Sequence, residues 1–412
     1  MRARPGRPDT RAAAFLIPGI LAGGLVPLPA AQAVGSPRQT VSHHASSSAW
    51  TIRTVAGGAG GPGRATAVSI NQPCGLTSAR GSLLVGTNDG VIRAVSARTG
   101  MLTNPVGTGN FGFSADGSLA RSAHLGQTCG AIYDHHGNLV FADSAAWIDS
   151  DGDGTADAVP GNHLIRMAAM HTGVFYGRHM TQGHVYTIAG NGTDGYSGDG
   201  GPATQAALGT PAGLALDSAG NIVVADKAGP ALTGLGRIRV VAAATGTFYG
   251  QAMKAGDMYS IAGGGSVECR DNGRLATSVS FGFGGMLFDK YGFYSGPSGL
   301  RVDHSGNVVF ADTACQKILV RATTSGTFYG KAMAAGHVYT IDRYVPRPAG
   351  IAVDHAGNVV IASTDANKVV IVAARSGHFY GRTMVAGHSY LLAGTTNPGY
   401  GGDGGPVRPR TA

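Results

Sequence analysis

The chain has 412 residues, of which 68 are glycine and only 13% are charged, and its formal net charge is +8. Glycine at this level without a G-X-Y period excludes collagen, and it argues against helix, where each interior glycine costs about 1 kcal/mol. The basic residues are scattered, with no Lys/Arg run interleaved with aromatics, which argues against a nucleic-acid partner.

Arg2, Arg4, Arg7 and Arg11 precede an apolar stretch, 12–30, and Ala31-Gln32-Ala33 follows as a small-x-small cleavage signal. Residues 1–33 therefore read as a secretory signal peptide. Pro18, Pro27 and Pro29 weaken the rival reading, an uncleaved anchor, and no other segment has the length and apolarity of a span. Cleavage removes four arginines and Asp9, leaving 27 basic against 22 acidic residues. Residues 34–49 read as a linker, 50–395 as the folded domain and 396–412 as the start of an incomplete further repeat. The expected location is extracellular, where the four cysteines can form up to two disulfides.

From residue 75 onward one phrase recurs. GLTSARGSLLVGT (75–87) is a worn copy, followed by GAIYDHHGNLVFAD (130–143), GLALDSAGNIVVAD (213–226), GLRVDHSGNVVFAD (299–312) and GIAVDHAGNVVIAS (350–363). Each is an apolar run, a D-x-x-G-N turn and a β-branched run, the pattern of a β-hairpin, strands a and b. A third strand, c, follows as VIRAVSA, LIRMAAM, RIRVVAA, KILVRAT or KVVIVAA. Then comes an FYG segment, in four near-identical copies at 171–188, 244–261, 324–341 and 375–392, whose tail makes strand d. Four strands repeated five times predict an all-β propeller of five complete four-stranded blades, because a lone four-stranded sheet cannot bury both its faces and a stack of them can.

Asn162-His163-Leu164-Ile165-Arg166 contains the triplet that gives the NHL-repeat β-propellers their name, and Gly236-Arg237-Ile238-Arg239 and Asn367-Lys368-Val369 are looser versions. With the P-x-G-[IL]-A-[VL]-D phrase and the linker GYSGDGGPATQAAL (195–208), the chain resembles secreted bacterial members of that family over roughly 50–406. The resemblance implies a fold far more firmly than a function. Some NHL relatives are metal-dependent lyases with histidines lining the central channel. The inner strands GLALD, GLRVD, GIAVD and GAIYD carry none. His135, His304 and His355 share one turn position in three blades. Convergence of these three on a metal is weighed against exposed turn residues on separate blades, and the latter is favoured. His184, His337 and His388 open strand d at the outer edge.

In each FYG copy the Phe-Tyr pair, the Met five residues after the Phe and the Tyr six residues after that Met keep their spacing, as in Phe248, Tyr249, Met253 and Tyr259. An aromatic binding ring would use these residues, but equal use in four blades favours packing, which must recur wherever blades stack. Turn glycines Gly81, Gly137, Gly220, Gly306 and Gly357 are 56, 83, 86 and 51 residues apart, which marks inserts. DSDGDGTAD lies between strands b and c of the second blade and KAGPALTGL at the same place in the third. GMLFDKYGFY (285–294) matches the a–b hairpin and reads as a degenerate extra hairpin, leaving the blade number open between five and six. TIRTVAGG (51–58) looks like a strand d without its blade, and GYGGDGGP (399–406) repeats the linker before VRPRTA. Either five blades close and 51–58 is a surplus edge, or the chain is a truncated six-bladed propeller.

Cys269, in the connection entering the fourth blade, and Cys315, in its b–c turn, share a face and are expected to form a disulfide. Cys74 and Cys129 share that face from neighbouring blades, and their pairing stays open. Asp149-Ser150-Asp151-Gly152-Asp153-Gly154-Thr155-Ala156-Asp157 resembles the calcium loops of EF-hands, dockerins and integrin propellers. The resemblance implies Ca2+ held by Asp149, Asp151, Asp153 and Asp157 and by the Thr155 carbonyl, in a structural role. Pro160 stands where an EF-hand has its bidentate Glu, so binding is expected to be weaker. There is no G-x-S-x-G elbow and no P-loop. The function expected is a secreted non-catalytic scaffold that binds a protein or cell-wall glycan, with no nucleic-acid partner and no membrane span after signal cleavage. The alternatives are a metal-dependent lyase-type enzyme and a structural spacer.

Overall fold

The computed structural model describes residues 62–71, 73–144, 146–148, 157–159, 162–227, 236–281, 288–289, 292–293 and 296–395. The expected signal peptide, linker, surplus strand 51–58 and incomplete repeat 396–412 lie outside the described residues.

Five antiparallel sheets form the blades of a β-propeller. Blade I comprises strands a to d at Pro73–Ala79, Ser82–Thr87, Ile92–Ser96 and Met101–Val106, and blade II those at Ala131–Tyr133, Leu139–Asp143, Leu164–Ala168 and His184–Ala189. Blade III comprises Thr210–Leu216, Ile222–Lys227, Arg237–Val241 and Asp257–Gly263. Blade IV comprises Pro297–Val302, Val308–Asp312, Lys317–Arg321 and His337–Arg343, and blade V Pro348–Val353, Val359–Ser363, Lys368–Val372 and Ser389–Ala393. The blades are not all four-stranded. In blades I to IV the linker preceding strand a adds a two-residue outer strand to d, at Gly63–Arg64, Ser118–Leu119, Gly201–Pro202 and Arg274–Leu275. A single 3-10 turn follows each, and its first residue, Ala65, Ala120, Ala203 or Ala276, is buried. The linkers are thus part of the sheets, which explains why GGPATQAA-type sequence repeats.

The D-x-x-G-N turns work as their composition demands. Asp303 accepts from the Asn307 N–H at 2.9 Å and from its side-chain amide at 3.0 Å, and Asn307 in turn accepts from the Thr323 N–H at 3.0 Å. Asp134, Asp217 and Asp354 make the same pair of bonds with Asn138, Asn221 and Asn358. Each turn therefore ties hairpin a–b to the end of strand c.

The FYG segments are separate two-stranded hairpins between c and d. Their tips are the Tyr-Gly pairs, with φ +49° and +74° at Tyr176-Gly177 and +55° and +78° at Tyr249-Gly250. Positive φ at both central residues is the type I′ geometry that matches strand twist, and here tyrosine, not Asn or Asp, takes the first place. The tyrosine is held there from outside the turn. Tyr329 Oη donates to Asp303 at 3.0 Å and Tyr380 Oη to Asp354 at 3.1 Å, and Arg321 Nη2 donates to the Tyr249 carbonyl at 2.7 Å. Met180, Met253, Met333 and Met384 are buried. The d-strand tyrosines Tyr186, Tyr259, Tyr339 and Tyr390 each accept a backbone N–H from the hairpin, at 2.8–2.9 Å. The repeated phrase is packing and hairpin closure in all four blades.

Four apolar clusters lie between blades. Leu84, Ile92, Leu139 and Phe141 join I to II, Val140, Ile165, Ile222 and Val224 join II to III, Val240, Ile261, Phe281 and Phe310 join III to IV, and Val309, Val320, Ile351 and Ile361 join IV to V. Around the axis the inner strands approach so closely that a Cβ on Gly75, Gly130, Gly213 or Gly299 would overlap the carbonyl oxygen of Cys129, Ala212, Ser298 or Ala349 in the next blade. The junction of V with I differs. A Cβ on Gly350 would meet only Ala362 Cβ, at 3.6 Å, and among the described residues no apolar cluster joins these two blades.

Within the 285–294 phrase, Phe288–Asp289 pairs antiparallel with Gly292–Phe293, outside the five blades. Both cysteine pairs are disulfide-bonded, Cys269 to Cys315 with Cα atoms 5.6 Å apart and Cys74 to Cys129 at 5.0 Å. The second bond staples blade I to blade II, because the glycine contact already brings their inner strands together.

Candidate binding site

At the face where inner strands begin, Asp143, Asp226 and Asp312 stand at or next to the end of strand b in blades II to IV, and the first two anchor the linker. Asp143 accepts from the Gly126 N–H and Asp226 from the Gly209 N–H, at 2.6 and 3.0 Å. Strand c adds a buried arginine between two carboxylates. Arg166 lies 3.6 Å from Asp143 and 3.5 Å from the linker residue Asp116, while Arg239 lies 3.7 Å from Asp226 and 2.7 Å from Asp199. Burial still pushes the Asp143 carboxyl up to about 6 and that of Asp226 up to about 7. His163, the histidine of the NHL triplet, has φ +49° and is hydrogen-bonded through Nδ1 to the Gly209 carbonyl, so it clasps the next linker. These groups are consumed by architecture.

Across the linkers one aromatic position varies. Phe113 precedes blade II where Tyr196 precedes blade III. The Arg237 guanidinium covers the Tyr196 ring at 5.2 Å. Leu164 holds the place of Arg237 in blade II, does not reach as far, and leaves Phe113 59% exposed. Phe113 borders a shallow cleft of about 410 Å³ with Asn162, Leu164, Thr187 and Asn191. Asn162 uses its amide N–H groups on the Gly112 carbonyl and on Asp143, at 2.8 and 2.9 Å, which orients its carbonyl oxygen as an acceptor. Arg166 supports the ring from within, 5.4 Å from its centroid.

The turn histidines only partly converge. His304 and His355 have ring centroids 6.4 Å apart, while His135 lies against Gly220 of blade III. Among the described residues no three His, Cys, Asp or Glu side chains are grouped to hold a metal ion. His184 and His337 bond locally through Nδ1, each at 2.9 Å to the carbonyl two residues before it. Of the calcium residues, Asp149, Asp151, Asp153 and Thr155 lie outside the described residues. Only the backbone of Asp157 is described, paired with Ile148 in a hairpin that also pairs Ala158 with Trp147 and Val159 with Ala146.

Sequence reasoning missed three cations that the fold half-buries or buries. Strand a repeats a glycine, and two residues later stand Thr77, Ile132, Ala215, Arg301 and Ala352. The alternation of a strand turns these toward the side of the inner glycines. Arg301 alone is charged, and it reaches past blade V to donate to the Leu76 carbonyl of blade I at 2.8 Å, with its other bond, at 2.7 Å, to the Leu300 carbonyl. Burial lowers its pKa. The other two are Lys227, the last residue of strand b in blade III, and Arg347, which precedes strand a of blade V. The only signal in the sequence was a lysine where other copies have Asn, Ser or Thr.

No family model matches the chain, and no curated protein matches it. Its fold is similar to those of solved propeller structures. A gluconolactonase from Xanthomonas campestris is 12% identical with TM-score 0.42, covering 79% of each chain. Virginiamycin B lyase from Staphylococcus aureus is 10% identical with TM-score 0.38, over 79% of this chain and 86% of that one. Regucalcin from Agrobacterium tumefaciens, a calcium-binding protein, is 10% identical with TM-score 0.42, over 79% and 76%.

Proposed function

We propose that this protein is an exported, non-catalytic propeller of NHL repeats that binds a cell-wall glycan in the cleft beside Phe113. The observation that carries this reading is the exposure of one aromatic ring in one blade, where the equivalent Tyr196 is covered by Arg237. A sugar ring presents an apolar face and a polar edge. Phe113 offers an apolar platform, and Asn162, Thr187 and Asn191 offer polar groups beside it. The cleft volume lies within the range of about 300–1,000 Å³ typical of small-ligand sites. Export is supported by the two disulfides, which persist in oxidising compartments, and by the reading of residues 1–33 as a signal peptide. A structural calcium ion in 149–157 belongs to the same proposal, supported by the hairpin that brings the two ends of that loop together.

Co-sedimentation with purified peptidoglycan tests the glycan. The wild type should pellet, and Phe113→Ala should weaken binding at least tenfold, or ~1.4 kcal/mol. Val174→Ala, which removes an equally exposed apolar residue of the adjoining hairpin, should leave it unchanged. Equal loss in both variants, or no binding by the wild type, would sink the proposal.

A further inference from the structure

Asparagine followed by glycine occurs twice in the chain, at Asn191-Gly192 and Asn272-Gly273. Such a pair is chemically weak, because glycine, without a Cβ, leaves its backbone nitrogen free to approach the asparagine Cγ. Both pairs are exposed on linkers, so exposure does not separate them. Their hydrogen bonds do. The Gly273 N–H donates to the Val338 carbonyl at 2.7 Å, which ties the nitrogen into the edge of blade IV. Asn272 Oδ1 accepts from the Thr340 N–H at 3.0 Å, which turns the side chain toward strand d and away from its own peptide. Among the described residues the Gly192 N–H donates to nothing. Asn191 Oδ1 accepts from the Thr193 N–H at 2.9 Å. The ring closed by that bond contains both Cγ and the Gly192 nitrogen, so the side chain is folded back over the peptide. The same bond draws electrons from Cγ and stabilises the oxyanion that an attack would form. Against this stands an exposed bond from Asn191 Nδ2 to the Gln205 carbonyl, at 3.2 Å, which water can replace.

We infer that Asn191 is a site of spontaneous deamidation, which turns a neutral amide of the Phe113 cleft into a carboxylate as the protein ages. The Gly192 nitrogen attacks Cγ and gives its proton to solvent, the Cγ–Nδ2 bond breaks, and ammonia leaves with a proton taken from water. The cyclic imide then adds one water at either carbonyl and opens to an aspartate or an isoaspartate, with no oxidant or reductant. Asn191 lines the cleft with Phe113, Asn162, Leu164 and Thr187, all of them neutral, so among the described residues the product supplies the only charge on its wall. The inference does not depend on which ligand the cleft takes.

Peptide mapping by mass spectrometry, after the full chain has stood for weeks in mildly alkaline buffer, tests the site. In the folded protein Asn191 should gain the mass of an amide-to-acid conversion at least tenfold faster than Asn272. Enzymatic methylation should detect isoaspartate in the peptide that carries position 191. In concentrated guanidinium chloride, where the fold protects neither nitrogen, the two sites should convert at similar rates. Gly192→Ala, whose methyl crowds the attacking nitrogen, should slow conversion of Asn191 at least tenfold. An Asn191 that stays an amide, or folded-state rates as alike as those in denaturant, would overturn the inference.

Discussion

Arg239 and Asp199 meet at 2.7 Å where strand c of blade III passes under the linker that precedes the same blade. The arginine is 1% exposed and faces Asp226 on its other side at 3.7 Å. One buried side chain therefore joins the start of the blade, the end of strand b and the middle of strand c. Arg239→Met would leave the Asp226 carboxyl buried without its cation. Breaking a buried pair in this way costs about 3–5 kcal/mol, and the urea midpoint should fall accordingly. A loss below about 1 kcal/mol would mean the pair is no more than a surface contact.

The inner ring predicts opposite outcomes for one substitution. Gly213→Ala sets a methyl against the Ser298 carbonyl, where two backbones must separate, and should destabilise strongly or prevent folding. Gly350→Ala meets only Ala362 at 3.6 Å and should change stability by no more than about 0.5 kcal/mol. Comparable melting temperatures for the two variants would contradict the packing order of the inner strands.

Asp312 sets a pH dependence. Burial pushes its carboxyl up to about 7, since among the described residues Oδ1 receives only the Cys315 N–H, at 3.3 Å, and Oδ2 is buried without a partner. The unfolded value is about 3.9, so the folded state holds the proton more tightly. The resulting stabilisation is complete below about pH 3.9 and is lost as pH rises through about 7. Asp312→Asn stays neutral. Denaturant midpoints at pH 5 and pH 8 should show the variant gaining on the wild type at the higher pH, and parallel midpoints would exclude the effect.

Reduction should loosen the ring in two places. The bonded cysteines are separated by 55 and 46 residues. Loops of that size correspond to roughly 4 kcal/mol each in the chain-entropy model. Replacing Cys74 and Cys129 together by alanine should lower stability by about 2–4 kcal/mol and expose blade I to protease before blades II to V.

Calcium is a further partner to test. Titration should show one ion per chain, abolished by Asp151→Ala with Asp153→Ala, and chelator should lower the melting temperature. No binding heat together with an unchanged melting temperature would remove the ion from the account.

The D-x-x-G-N hairpins, the four strands of each unit and the Cys269–Cys315 pairing were legible in the residues, because each depends on local turn chemistry or on elements that neighbour one another within a blade. The Phe-Tyr-Gly phrase was legible as packing, but the left-handed tyrosine was not. Its conformation is held by Asp303 or Asp354 in the a–b turn of its own blade and by Arg321 in the next, contacts that no local rule contains. The linker strands were missed although their sequence repeats, since two residues are too short for an alternation to be seen.

The candidate sites depend even more on distance. Phe113 and Tyr196 look interchangeable along the chain, and whether the ring is covered depends on Leu164 or Arg237, some 40–50 positions further on. Arg301 is one arginine among many until the ring sets it against the Leu76 carbonyl of blade I, 225 residues away. Periodicity specifies which strands form because strand formation is short-ranged. Which charges face one another across an axis is decided only when five separate sheets are brought together, since Coulomb and desolvation energies depend on positions in space and not on order along the chain.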